Sequence, residues 1–322
     1  MIGYSASSGE GYPARIITMF ASYYKKRSIG IVRRPSLYVL LMILPGLFLV
    51  ILFNYIPIIQ SFMYSFYQWS GGTKKTFIGL KNYIDLFSSE VFYISLVNQC
   101  IILAARTVFM ITPSLLVARL IFGLKSRPGV SNFFRQIFVI PVVIPPIVVL
   151  LIWQFLLDGE IGLLNGILES LSMGHLSRAW LGDPDTALGS VIAIGFPWIQ
   201  GTNMLIFLAG FLAIDESIWD SVLLEGVKPL RRLLSIDIPL ILGQLKLNII
   251  LTIIQLMQDF VGVMILTDGG PGTATLVPGL LLYKNAFAYA KMGYANAIGV
   301  VMFIFILSLS ILNSKIGKES NQ

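Results

Sequence analysis

LYVLLMILPGLFLVILFNYIPIIQ, residues 37–60, runs for 24 residues without a charged side chain. An α-helix rises about 1.5 Å per residue, so about 20 apolar residues cross the roughly 30 Å hydrocarbon layer of a bilayer. Lipid offers no partner to a free backbone N–H or C=O, so such a run crosses as a helix. Outward from it, the same pattern returns at 93–121, 133–157, 188–213, 242–267 and 290–313. The expected fold class is an all-α membrane protein of about six transmembrane helices.

Composition agrees. The 322 residues are 56% hydrophobic and 12% charged, with a mean hydropathy of +0.81. A soluble domain carries roughly a quarter charged residues, and no polar block here is long enough for a separate soluble domain. The domain organisation reads as a basic segment 1–36, a membrane domain 37–313 that includes the connector 213–240, and a tail 314–322. Residues 1–36 are polar and basic and are not expected to be a cleavable signal peptide, since the first long apolar run begins only near Leu37. RIITMFASYYKK, residues 15–26, reads either as a short helix along the membrane surface or as a basic tail. The one cysteine, Cys100, reads as a small core residue and allows no disulfide within the chain. The one histidine, His175, falls in a polar loop and cannot build a metal site alone.

The net charge of +7 does not call for nucleic acid, because its placement follows membrane topology. The N-terminal segment, the second-to-third and fourth-to-fifth connectors and the tail together hold 16 basic residues, the remaining connectors 6. Arg106 lies within the second run. The positive-inside rule therefore places both termini in the cytoplasm.

The fourth-to-fifth connector, AIDESIWDSVLLEGVKPLRRLLSIDIPL (213–240), reads as an amphipathic helix-turn-helix. Acids come early and bases late. Gly226 supplies a turn without a Cβ penalty, Pro229 suits the first turn of a following helix, and Ile238-Pro239 closes the element. A charged helix of this kind implies something to dock against; an ordinary solvated connector is the other reading. Within the apolar runs, polar side chains are costly and face either a cavity or another helix. The fifth carries Thr252, Gln255, Gln258 and Asp259, with Thr252, Gln255 and Asp259 spaced for one helical face. The fourth carries Trp198, Gln200, Thr202 and Asn203 after Gly195 and Pro197, which are suited to bending a helix, and Gln154 follows Trp153 in the third. Amides and indoles suit a neutral sugar, through hydrogen bonds to hydroxyls and stacking on an apolar ring face. The same residues equally serve as glue between helices. Depth along the runs pairs Arg106 with Asp259.

Asp220-Ser221-Val222, then Gly226, then Ile236-Asp237-Ile238-Pro239 resembles the "EAA loop" of ABC importer permeases. Pro57-x3-Ser61-x3-Ser65-Phe66, the run Phe77 to Tyr83 (FIGLKNY), Phe133-Phe134-Arg135 with Pro141 and Trp153, Gly162-Leu163-Leu164-Asn165, Trp180-Leu181, and Thr267-Asp268-Gly269-Gly270-Pro271 with Thr275, Tyr283 and Phe287 resemble, in order, elements of the carbohydrate permeases of the maltose and glycerol-phosphate type. The resemblance covers about residues 37–313. It implies a subunit of the bacterial plasma (inner) membrane, paired with a second, homologous permease subunit as a heterodimer, two cytoplasmic ATPase subunits and an extracytoplasmic solute-binding protein. It also implies an ABC type I importer permease fold, a sugar or oligosaccharide as the solute, and Asp220, Ser221, Val222, Glu225 and Gly226 as the coupling contact to the ATPase. Lys228, Arg231 and Arg232 then add charge contacts or face lipid headgroups, the headgroups being favoured. The chain has no G-x-x-x-x-G-K-[ST] phosphate loop, so no enzymatic step and no cofactor are expected here; ATP and Mg²⁺ belong to the partner ATPase. A non-sugar solute such as glycerol phosphate or a polyamine is the alternative. An intramembrane protease is disfavoured, lacking a Ser/His or paired-Asp site within the runs.

Overall fold

The computed structural model describes residues 37–315. The surface-helix reading of 15–26 and the remainder of the tail lie outside the described residues. The described residues up to Ile59 and the body from Gln60 onward are separate units and are taken one at a time.

The first unit is the apolar helix α1, Leu37–Val50, which passes through one π-helical turn, Ile51–Tyr55, into Ile56–Tyr64. Pro57 lacks an N–H and its ring crowds the carbonyl four residues back, at Phe53; the wider π turn accommodates that conflict. Side chains around the helix, Met42 and Phe53 among them, are exposed. A helix apolar on every side is solvated by lipid or by another apolar surface.

The body opens with a short hairpin, β1 (Tyr67–Trp69) paired antiparallel with β2 (Lys75–Phe77). Helix α2 (Lys81–Phe87) leads into α3, Glu90–Gly123, capped at its start by the Ser89 hydroxyl. At 34 residues α3 is about 50 Å long, and it is the post on which the rest is built. The shorter helix Gly201–Leu212 and the helix Leu242–Gln258 pack along it. Their buried seam includes Ala118 and Phe122 from α3, Phe207 and Phe211 opposite, and Ile241.

Three of the six apolar runs are not straight. The run expected at 133–157 is two helices, Pro128–Val143 and Pro146–Leu156, bent by 89°. Pro145 and Pro146 remove two consecutive N–H donors and push the preceding residues out of the helical region. The run at 188–213 is Pro184–Ala193 and Gly201–Leu212, broken over 194–200, where Gly195 and Trp198 take φ of +89° and +56°. The run at 242–267 stops at Gln258, turns at Asp259 and Phe260, and resumes as Val261–Leu266. The last run, Met292–Lys315, is continuous. Among the described residues three helices are long and apolar enough to cross a membrane, or up to five if each bent pair counts as one span. Cys100 departs from its expected place: it lies on the exposed face of α3, among exposed apolar side chains such as Val97 and Ile101.

The connectors are held by buried polar side chains. Asn82 donates to the carbonyls of Ser65 (2.8 Å) and Tyr67 (3.0 Å), and the Ser65 and Tyr83 hydroxyls are 2.6 Å apart. Asn165 donates to the carbonyls of Gly159 and Arg178 and accepts from the Trp180 indole N–H at 2.7 Å. Thr267 and Thr275 share a 2.7 Å bond. Asn165→Ala is expected to strip three partners from a side chain 4% exposed and to lower stability by about 2–3 kcal/mol. A drop in the thermal midpoint of the detergent-solubilised protein measures it.

Candidate functional site

The 213–240 connector folds as its residues dictate. Asp215 caps the helix Glu216–Leu224: the Ser217 hydroxyl (2.6 Å) and N–H (2.9 Å) both donate to its carboxylate. The hydroxyl first and the N–H second hold the Asp215 carboxyl below the usual carboxylate range. The cap's contribution is thus fully present above the ordinary carboxyl pKa and is lost as pH falls through the lowered one. Trp219 and Val222 are buried beneath the helix, whereas Asp220, Ser221 and Glu225 are exposed. Val222, expected in the coupling contact, is therefore an anchor of the helix against the body. Gly226 follows at φ +61° with open space where a Cβ would go, so backbone conformation alone requires glycine there. Gly226→Ala is expected to cost about 1–2 kcal/mol, and Gly226→Asn less, because Asn tolerates the left-handed region; thermal unfolding ranks the pair. Pro229 opens the helix Pro229–Leu240, as expected, with Lys228 exposed before it.

Two features of the connector were not read from the sequence. Leu224 is 90% exposed and Leu230 69% exposed, so an apolar tip projects beside Asp220 and Glu225. An amphipathic pattern assigns a leucine to the buried face, and nothing in the spacing marks these two as outward. The second feature is Asp237, buried, with Arg119 Nε of α3 2.6 Å from one carboxylate oxygen and Arg232 Nε 3.5 Å from the other. An acid inside the apolar run LLSIDIPLI was the available signal. It also corrects the headgroup reading of Arg232, which turns inward because the π turn Leu233–Asp237 brings Asp237 beneath it. Arg231 and Lys228 are exposed.

The polar residues of the apolar runs divide into two sets. Asn203 and Thr252 are buried and joined, Asn203 Nδ2 donating to the Thr252 hydroxyl at 3.3 Å, and Asn248 donates to the Asn203 carbonyl. Gln200 is held by its backbone, its N–H donating to the Ser114 hydroxyl at 3.0 Å. Gln154, Gln255 and Gln258 are exposed, and their side chains have no hydrogen-bond partner among the described residues. Thr252 and Gln255 therefore do not share one environment, and Asp259 lies past the helix end, where its carboxylate accepts from the Gly262 N–H at 3.3 Å. Trp198 stacks on Phe109 at 4.6 Å, edge-on to Phe196, with its indole N–H unpartnered. Arg106 and Asp259 line one cavity of about 40 Å³. They make no direct ion pair, and Arg106 Nε has no partner.

A larger cleft, about 940 Å³, opens between the hairpin, α2 and the 267–291 connector. Trp69, Tyr289 and Tyr294 line it with Lys74, Lys81 and Lys291, and with Asp268 paired to Lys284 at 2.9 Å. His175 sits on an exposed turn, and no group of three metal-ligating side chains occurs among the described residues.

Bent apolar helices packed along a long post, with a charged connector whose apolar tip is exposed, define a mostly helical protein with helices long and apolar enough to cross a membrane. The family model described as "Binding-protein-dependent transport system inner membrane component" matches residues 114–318. The probable ABC transporter permease protein YurN of Bacillus subtilis is 35% identical over 286 residues, 87% of this chain and 98% of that relative. The multiple sugar-binding transport system permease protein MsmF of Streptococcus mutans is 30% identical over 85% of this chain and 92% of its own length. The trehalose/maltose transport system permease protein MalF of Thermococcus litoralis is 30% identical over 86% and 92%. A chain of a bacterial alginate ABC transporter, solved in complex with an alginate pentasaccharide-bound periplasmic protein, shares the fold with a TM-score of 0.75. It is 17% identical over 97% of this chain and 99% of that one. This chain belongs to the family of binding-protein-dependent transport system inner membrane components.

Proposed function

We propose that the chain is the permease subunit of an ATP-driven, binding-protein-dependent importer of neutral sugars or oligosaccharides in a bacterial plasma membrane, with six spans and both termini cytoplasmic. A second, homologous permease completes the path. Two ATPase subunits hold the nucleotide and Mg²⁺ and alternate the access of the path, and this subunit needs no cofactor. The observation that carries the proposal is the connector tip. Leu224, 90% exposed, stands with Asp220 and Glu225 around the Gly226 turn, the composition of a docking knob: an apolar anchor with a charged rim. A cysteine replacing Glu225 is expected to crosslink to the ATPase. No crosslink under conditions that support uptake would sink the coupling assignment.

A sugar as the cargo is supported by the names of the relatives and by chemistry. Unpartnered amides exposed on apolar elements are costly against lipid; Gln154, Gln255 and Gln258 fit a wet path whose cargo offers hydroxyls. The aromatic and lysine-lined cleft at the hairpin is the proposed seat of the solute-binding protein on the opposite face. Calorimetry of the neighbouring binding protein against neutral sugars, glycerol phosphate and polyamines decides the solute class. Preference for glycerol phosphate or a polyamine over the sugars would overturn the sugar reading while leaving the permease intact.

A further inference from the structure

The described residues hold a buried charged node that neither docking nor solute passage uses. Asp237 is 1% exposed, and each of its carboxylate oxygens faces an arginine, Arg119 Nε at 2.6 Å and Arg232 Nε at 3.5 Å. Both guanidinium carbons lie near the ring of buried Trp219, at 5.9 Å for Arg119 and 5.5 Å for Arg232. Arg119 also lies 5.6 Å from the Phe122 ring. Trp219 belongs to the helix that carries the docking tip, Asp237 and Arg232 to the segment that returns to the membrane, and Arg119 to the last turns of α3. Two successive pieces of the connector and a helix far earlier in the sequence thus meet on one carboxylate and one indole.

We infer that this Arg119–Asp237–Arg232–Trp219 cluster is a rigid joint that transmits displacement of the connector to the membrane helices. Surface ion pairs yield under load because water replaces them at little cost, as it would the exposed Lys125–Glu216 pair beside the node. A desolvated carboxylate held by two guanidiniums has no such substitute, so separating its partners strands a buried charge. The node therefore keeps connector and α3 together when the connector is pulled. On its other side, the segment Pro229–Leu240 meets Leu242–Gln258 at an 81° bend one residue long, so the same displacement swings a second long helix like a crank. Asp237 and Arg119 are positioning residues: they touch neither solute nor nucleotide. The inference rests on the reading of the connector as the ATPase-coupled element.

The test uses the full chain carrying Cys100→Ser, since the native thiol is exposed, in the assembled transporter, with nitroxide labels on cysteines replacing Leu120 on α3 and Leu234 on the connector, both exposed. Their distance is compared in the nucleotide-free state and after trapping with ATP and vanadate, and a parallel Glu225→Cys sample reports docking. The unaltered joint is expected to give one narrow distance that trapping leaves unchanged. Asp237→Asn is expected to shift or broaden that distance on trapping while the Glu225→Cys crosslink persists. If Asp237→Asn fails to assemble, Arg119→Lys, which keeps the charge and loses the planar fork, is expected to do the same, and more strongly than Arg232→Lys. A distance that changes on trapping with the joint intact would overturn the inference. So would variants that merely lower the thermal midpoint and leave the trapped distance as before. Loss of the crosslink in the chain with its joint intact would overturn the coupling reading, and the joint with it.

Discussion

Gly293→Val is expected to dislodge the hairpin and to yield little assembled protein, with Gly293→Ala a milder form of the same defect. Gly293 is buried at the start of the last long helix, and a Cβ there would overlap the carbonyl oxygen of Tyr67. That carbonyl is not free to retreat. It is the acceptor of Asn82 Nδ2 at 3.0 Å, and Tyr67 is paired across the hairpin with Phe77. Where the obstacle is the far end of a flexible side chain, a methyl group costs a rotamer; here the obstacle is hydrogen-bonded backbone. Overpacking of this kind costs about 1–3 kcal/mol for the methyl of alanine and more for a branched side chain. It would also cost Asn82, itself buried, one of its two acceptors. The yield of monodisperse protein in detergent and its thermal midpoint measure the series. Wild-type values for Gly293→Val would mean that the helix and hairpin do not approach as closely as this. At Gly226, by contrast, open space surrounds the α-carbon and only the positive φ resists a side chain.

The spans were legible because lipid enforces a simple rule on length and polarity, and Glu90–Gly123 and Met292–Lys315 obey it within a few residues of the expected bounds. The bends were legible only in part. Gly195 and Pro197 announce the break in the fourth run, since few other residues tolerate that backbone. Hydropathy averaged over a window passes without a change through Pro145-Pro146, although the two helices there meet at 89°. In the connector, Gly226 and Pro229 mark the turn from local chemistry alone. Asp237 stands out in the sequence as an acid in an apolar run, but its meaning depends on Arg119, 118 residues away, and no local rule joins them. The amides show the same limit. Composition assigns Asn203, Thr252, Gln255 and Gln258 one character, yet the first two close on each other in the core and the last two stand open. The difference lies in which neighbouring helix arrives, which is a tertiary fact.

Asp259→Asn is expected to leave assembly intact and to cut uptake by about tenfold or more. Asparagine has the size of aspartate and retains an oxygen to accept from the Gly262 N–H, so the turn between Leu242–Gln258 and Val261–Leu266 keeps its geometry. What changes is charge. Asp259 shares a cavity of about 40 Å³ with Arg106, room enough for a water molecule, which needs roughly 10–15 Å³ by the same kind of measure. Removing the carboxylate leaves the Arg106 guanidinium without a counter-charge in the middle of α3, where an uncompensated arginine costs about 2.5–3.5 kcal/mol. Each 1.4 kcal/mol is a factor of about ten. If the whole penalty fell on one of the two access states, uptake would fall by about a hundredfold. The break at Asp259 is where such a bias would act, since the helix is interrupted there. Arg106→Gln in the same chain removes the stranded charge, so the double variant is expected to transport better than Asp259→Asn alone. That ordering separates a charge pair from a residue that binds the solute directly: a hydrogen bond from solute to the Asp259 carboxylate would not be restored by a change at Arg106. Normal uptake kinetics in Asp259→Asn would remove both residues from the path and leave Gln154, Gln255 and Gln258 as its proposed lining.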